Sequence, residues 1–294
     1  MADCRCKSRH FVPMPVKVRT GRFASGMRVT KCYAQATADC RGPISADHAI
    51  AESISEDFQR SAVTRVLADG STRTIPSSAC GRNVLCKGHN SALSPLDQVG
   101  QRFLNAQKYQ LQHQFENSPE HTHALFNGYD VERWMLKVLC TMAHNQPASR
   151  VHPSRLWRVP TSWLRILFDG HRFPPGAGVY TPRVARGRFS RGLLTAKIVG
   201  SRRGTVRAGH LLVDGKDEPT VLGVSMSIYG QDFDLHMFPP AESPQLWYRI
   251  RMYRLRSSAG GVSQVHLGWD DAPPSFAGNV AAVDRENPKD DLLR

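Results

Sequence analysis

Eight consecutive positions, Asn83 to Asn90, hold Asn83, Cys86, His89 and Asn90. A cysteine and a histidine separated by two residues can reach one tetrahedral zinc, because the ion takes thiolate sulfur and imidazole nitrogen from such short knuckles. Two further ligands are needed, and Cys32 and Cys40 upstream can complete the four. Seven residues lie between them, wider than the usual gap of about two to four. Cys80 competes for the same metal, and burial as small apolar residues is the alternative reading of all these cysteines. Cys4 and Cys6 near His10 form a further pairing in a basic arm. His121 and His123 read as a solvated loop between helices, and neither group is assigned a role.

Between the two halves of this set stands Asp47-His48, and Asn83-Val84-Leu85 leads into the second half. Phosphodiester hydrolysis needs a base for water, a cation for the charge that develops on phosphate and leaving oxygen, and a frame that holds both. His48, with an ordinary pKa of about 6.5, suits the base. A carbonyl of Asn83 can fix the orientation of its ring. Asp47 and Asn90 offer the oxygen ligands that a hard ion such as Mg2+ prefers.

The order of these residues resembles the HNH nuclease family. Its ββα-metal module runs from a cysteine pair through an Asp-His dipeptide closing a strand and an asparagine before a short apolar step to a second knuckle followed at once by His or Asn. The resemblance covers roughly residues 30 to 95. It differs in the wide Cys32–Cys40 pair, in the long interval from His48 to Asn83, and in Asn90 where the commonest version has histidine. The resemblance implies a metal-dependent endonuclease. His48, Asn83 and Asn90 would be catalytic, with Mg2+ or Mn2+ on Asp47 and Asn90. Cys32, Cys40, Cys86 and His89 would hold a structural Zn2+. The alternatives are a catalytically inactive, zinc-containing DNA- or RNA-binding protein, and a protein of another class whose function lies in the C-terminal two thirds.

Elements must position these residues. The interval after His48 contains "VTRVLADGSTRTI", whose alternation around Asp69-Gly70 predicts a hairpin. Ser94-Pro95-Leu96-Asp97 is a capping box with proline at the first helical position, so a helix of about twenty residues is expected from Ser94. "YDVERWMLKVLCTMAH" predicts a second helix capped by Asp130, with Val131, Trp134, Met135, Val138 and Met142 on one face. "TSWLRILF" predicts a third, stopping at Gly170. "VLGVSMSIYG", "DFDLHMF", "LWYRIRMYRLR" and "VSQVHLGW" read as strands, and the tail after Asp270 as loosely ordered. The expected fold class is α+β: an N-terminal HNH-like module with its basic arm (1–95), a helical middle (96–176) and a β-rich, mostly antiparallel C-terminal domain (177–294).

Thirty-nine Lys and Arg face 25 Asp and Glu, a formal charge of +14 that favours a polyanionic partner. Residues 183–207 carry eight basic residues and no acidic one. Arg183, Arg186, Arg188, Arg191, Arg202 and Arg203 are the candidate phosphate contacts of this stripe, for which a solvated sheet face is the alternative. Nucleic acid, DNA before RNA, is the expected partner, with no membrane association. No apolar run reaches the length of a bilayer span, and the N-terminus lacks the apolar segment of a secretory signal, so a cytoplasmic location is expected. There the seven cysteines serve better as ligands or core residues than as disulfides.

Overall fold

The computed structural model describes residues 29–48, 62–66, 72–76, 81–144, 157–182, 194–197, 205–213, 220–229, 231–240, 246–269 and 281–282. The first described elements are a 3-10 turn, Gln35–Thr37, and strand β1, Ile44–His48. A hairpin of β2 (Ala62–Val66) and β3 (Thr72–Pro76) follows, then β4 (Gly81–Cys86) and helix α1 (Lys87–Phe115). Strand β5 (His121–Asn127) leads directly into α2 (Gly128–Ala143), and α3 spans Thr161–Asp169. The rest is β: β6 (Gly178–Pro182), β7 (Leu194–Lys197), β8 (Thr205–Val213), β9 (Thr220–Ile228), β10 (Gln231–His236), β11 (Leu246–Tyr248), β12 (Met252–Arg256), β13 (Val262–Gly268) and β14 (Ala281–Ala282).

These strands form three sheets. β1 and β4 make an antiparallel pair. An eight-stranded antiparallel sheet has the order β11-β6-β10-β9-β8-β7-β2-β3, so the expected hairpin is present and closes one edge of it. The third sheet, β14-β12-β13-β5, is mixed, with β13 parallel to β5 and antiparallel to β12. The fold class is therefore α+β with predominantly antiparallel pairing.

Helix α1 starts earlier than the capping box predicts, and Pro95 lies inside it. Cys86 is the N-cap, its sulfur accepting from the backbone N–H of His89, so the knuckle itself begins the helix. An internal proline removes one helix hydrogen bond at a cost of about 3 kcal/mol. Burial of Leu93 and Leu96 on either side of it opposes that cost. Asp97, free of the capping role, accepts an ion pair at 2.5 Å from Lys137 of α2, whose side chain is 1% exposed.

Asp130 does not cap α2. Asn127 does, its Oδ1 accepting from the N–H groups of Tyr129 and Asp130, while the Asp130 carboxylate pairs with Arg133. Arg133 donates to the carbonyls of Ile166 and Leu167 near the end of α3, where helix carbonyls lack partners. Every residue of α2 is buried, the charged ones included. Helix α3 ends as expected, with Gly170 left-handed at φ 69°.

"LWYRIRMYRLR" is two strands in different sheets, β11 and β12. The break falls at Arg249, which holds a left-handed φ of 46° and makes a two-point ion pair with Glu132. The "HTH" segment is strand β5, corrected from a loop by its full-length parallel pairing with β13. Of the tail after Asp270, only β14 lies within the described residues.

One apolar core runs from Cys32 to Trp269. Phe103 of α1 is central to it, with ring contacts to Trp134 of α2, Phe126 of β5 and Phe233 of β10. At the α1–α2 crossing a Cβ on Gly100 would come within 2.1 Å of the Trp134 indole, so only glycine fits there.

Candidate metal centre

Cys32, Cys40, Cys86 and His89 are all buried, and their ligand atoms lie within 4.8 Å of one another. His89 Nδ1 stands 3.2 Å from Cys86 Sγ and 3.4 Å from Cys32 Sγ. Ligands of a tetrahedral zinc with ordinary bond lengths are separated by roughly 3.5 to 3.8 Å, so modest movement would bring this set onto one ion. Three sulfurs and one imidazole form a soft donor set, the type that zinc takes in closed structural sites. The cluster could hold a metal ion.

The wide first cysteine pair has a local explanation. The 3-10 turn at Gln35–Thr37 is followed by Ala38 in a left-handed conformation at φ 60°, which folds the intervening chain back on itself. Cys32 and Cys40 thereby reach the same point despite their spacing. The turn also delivers Asp39 and Thr37, which the ligand spacing did not reveal. Asp39 Oδ1 lies 3.1 Å and Thr37 Oγ1 3.0 Å from His89 Nε2. A carboxylate on the outer ring nitrogen places the proton there and leaves Nδ1 for a metal.

Backbone groups serve the sulfurs as well. The N–H of Arg41 donates to Cys86 Sγ at 3.3 Å, alongside that of His89. Burial pushes the Cys32 thiol far above its ordinary range, opposed by hydrogen bonding from the Cys86 and Ala34 backbone. Burial also raises Cys40, and it lowers His89 against the opposing Asp39 carboxylate. A divalent ion would reverse the balance at the thiols by stabilising thiolate. Phe168 of α3 lies edge-on to the His89 ring, 5.1 Å between centroids, and closes that side.

The strands place the remaining site residues. Asp47 pairs with Arg82, His48 with Gly81, and Asn83 with Ala46. The register shifts between Ser45 and Ala46, where Val84 is the extra residue of a bulge. The Val84 carbonyl accepts from Tyr33 N–H at 2.8 Å, tying the bulge to the cysteine loop. Asn83 is exposed. Asn90, in the first turn of α1, donates through Nδ2 to Ser45 Oγ at 3.2 Å.

Asp47, His48 and Asn83 thus lie on the β1–β4 strand pair and Asn90 at the start of α1, with Asp47 and His48 at the end of β1 away from the Ile44–Cys86 pairing. Cys4, Cys6 and Cys80, the N-terminal arm, and Arg183, Arg186, Arg188, Arg191, Arg202 and Arg203 lie outside the described residues. Among the described residues no helix is long and apolar enough to cross a membrane. Comparison of the chain with family models, with curated proteins and with solved structures returns no match.

Proposed function

We propose that the chain is a metal-dependent endonuclease of the HNH type that hydrolyses phosphodiester bonds in nucleic acid, DNA before RNA. The observation carrying this reading is the gathering of Cys32, Cys40, Cys86 and His89 where an antiparallel strand pair runs into a helix. One strand of that pair bears Asp47-His48, the other bears Asn83, and the helix bears Asn90.

In this reading the cysteine–histidine centre is a frame for Zn2+. It ties the loop before β1 to the β4–α1 junction and so fixes the strands that carry the reacting groups. His48 takes the proton from the attacking water, and a carbonyl of Asn83 holds its ring. Oxygens of Asp47 and Asn90 would hold Mg2+ or Mn2+, which when bound neutralises charge on the phosphate and the leaving oxygen. Asn90 donates its amide nitrogen to Ser45, and an amide oxygen is the ligand type that such an ion takes. Asp47 lies two positions along β1 from Ser45.

The test is nicking of supercoiled plasmid by the full chain with Mg2+ or Mn2+ against an EDTA control. Nicking that EDTA abolishes and His48→Ala lowers at least about a hundredfold agrees with the reading. Binding without cleavage under any divalent ion would replace it with the inactive, zinc-containing nucleic-acid-binding protein.

A further inference from the structure

Helix α1 begins at the metal centre and then runs beneath the mixed sheet. Gln110 Nε2 donates to the carbonyls of Ser263, at 3.1 Å, and Tyr253, at 3.4 Å, while Phe103 packs on Phe126. This settles which face of β5, β12 and β13 is inward. Tyr253, Ser263, Val265 and Leu267 are buried on the helix side. Along β5 the alternate positions His121, His123 and Leu125 are exposed. Gln264 and His266 of β13 and Arg254 and Arg256 of β12 occupy the corresponding outward positions.

The chemistry of this outer face is one-sided. None of the three strands contains an Asp or Glu. His123 and His266 stack across the strands, their ring centroids 5.8 Å apart at 27°, and Gln264 Oε1 lies 3.0 Å from His266 Nε2. The face therefore presents two guanidinium groups, three imidazoles and an amide, beside half-buried Met252, buried Val262 and exposed Leu125. Arg and His donors suit phosphate oxygens. Among the described residues the other exposed large hydrophobic side chains, Tyr109, Phe115, Phe238 and Tyr248, lie off these strands, which offer no Phe, Tyr or Trp platform for unpaired bases on this face.

We propose that the outward face of β5, β13 and β12, through Arg254, Arg256, Gln264 and the histidines, docks the phosphate backbone of double-stranded DNA. This rests on the nucleic-acid reading of the metal-centre module and extends it to a surface outside residues 30 to 95. From Lys87 to Gln110, α1 spans on the order of 35 Å, about one turn of duplex. A duplex held at the module can therefore extend as far as the sheet.

The test measures binding of the full-length protein to a labelled duplex of about thirty base pairs in EDTA, over a range of salt. Replacing Arg254 and Arg256 together by Ala should weaken binding at least tenfold at low salt. The slope of log K against log salt should fall by about two, with metal content and thermal unfolding unchanged. Gln264→Glu, close to isosteric and still able to accept from His266, should weaken binding in the same direction without loss of fold. Unchanged affinity and slope in both variants would overturn the proposal, as would equal competition by a single strand of the same length. Plasmid nicking separates the two readings. Wild-type cleavage that persists at unaltered KM in both variants removes the docking face alone, whereas variant-sensitive duplex binding without any cleavage removes the nuclease alone.

Discussion

Asp39 Oδ1 sits 3.1 Å from His89 Nε2, on the opposite side of the ring from the Nδ1 that faces Cys86 and Cys32. The carboxylate therefore fixes both tautomer and orientation of the imidazole at the cluster. Asp39→Asn should keep all four ligands yet weaken metal retention about ten- to a hundredfold, read by competition with a chromophoric chelator. Cys86→Ser should lose the metal outright and lower the thermal midpoint. Elemental analysis of folded wild-type protein that finds no metal would sink both expectations.

His48 and Asn90 should fail in different ways. His48→Ala removes the proposed base, so cleavage should drop at least about a hundredfold with DNA affinity and metal content retained. Asn90→Ala removes a proposed ligand of the divalent ion, so its loss should recover in part at high Mg2+ or Mn2+. Titration of both variants with the two ions measures the difference, and identical ion dependence would refute the division of roles.

The Lys137–Asp97 pair ties α1 to α2, the ammonium buried and the carboxylate partly exposed. Asp97→Ala, which takes the carboxylate away from the buried Lys137 ammonium, should cost about 3–5 kcal/mol in denaturant unfolding. Lys137→Met with Asp97→Leu should cost clearly less than the single change, because no charge is left unpaired. Strict additivity of the two substitutions would contradict this account.

Glu132 gives the fold a pH dependence. Its carboxyl is fully buried, and burial raises its pKa from the ordinary 4.5 to about 7 against the opposing Arg249 charge and hydrogen bonds. A folded pKa above the unfolded one means that the native state binds the proton more tightly. The contribution is fully present below about 4.5 and is lost as pH rises through about 7. The difference amounts to roughly 3 kcal/mol. Glu132→Gln should flatten the stability profile over that interval. A wild-type profile that rises with pH there, with the slope unchanged in the variant, would show that Glu132 does not set it.

The cluster of Cys32, Cys40, Cys86 and His89 was legible because the chain has only seven cysteines and the order of these four residues along it is informative. Asp39 was not, since its role exists only once the 3-10 turn and the left-handed Ala38 bring it to His89. The start of α1 was misread because Ser94-Pro95 is a sound local cap, overridden by the Cys86 knuckle and by burial around Leu93 and Leu96. For α2, apolar periodicity found one buried face. The burial of Glu132, Arg133 and Lys137 depends on partners contributed by Arg249, α3 and Asp97, which no local pattern encodes. The β11–β12 break is hidden for the same reason, because it falls at Arg249, whose partner Glu132 lies far away along the chain.

The hairpin β2–β3 leaves the chain between the two strands of the metal-centre unit and pairs with β7, Val63 meeting Ala196. On a ribosome, Cys86 and His89 emerge long before β7 exists. We therefore expect the metal unit to be complete while its inserted hairpin still lacks a neighbour, with an unpaired strand edge exposed to other nascent chains. Stalled nascent chains ending near residue 150 should already retain zinc while resisting protease only outside the hairpin. Zinc retention appearing only after β7 has emerged would reverse that order of assembly.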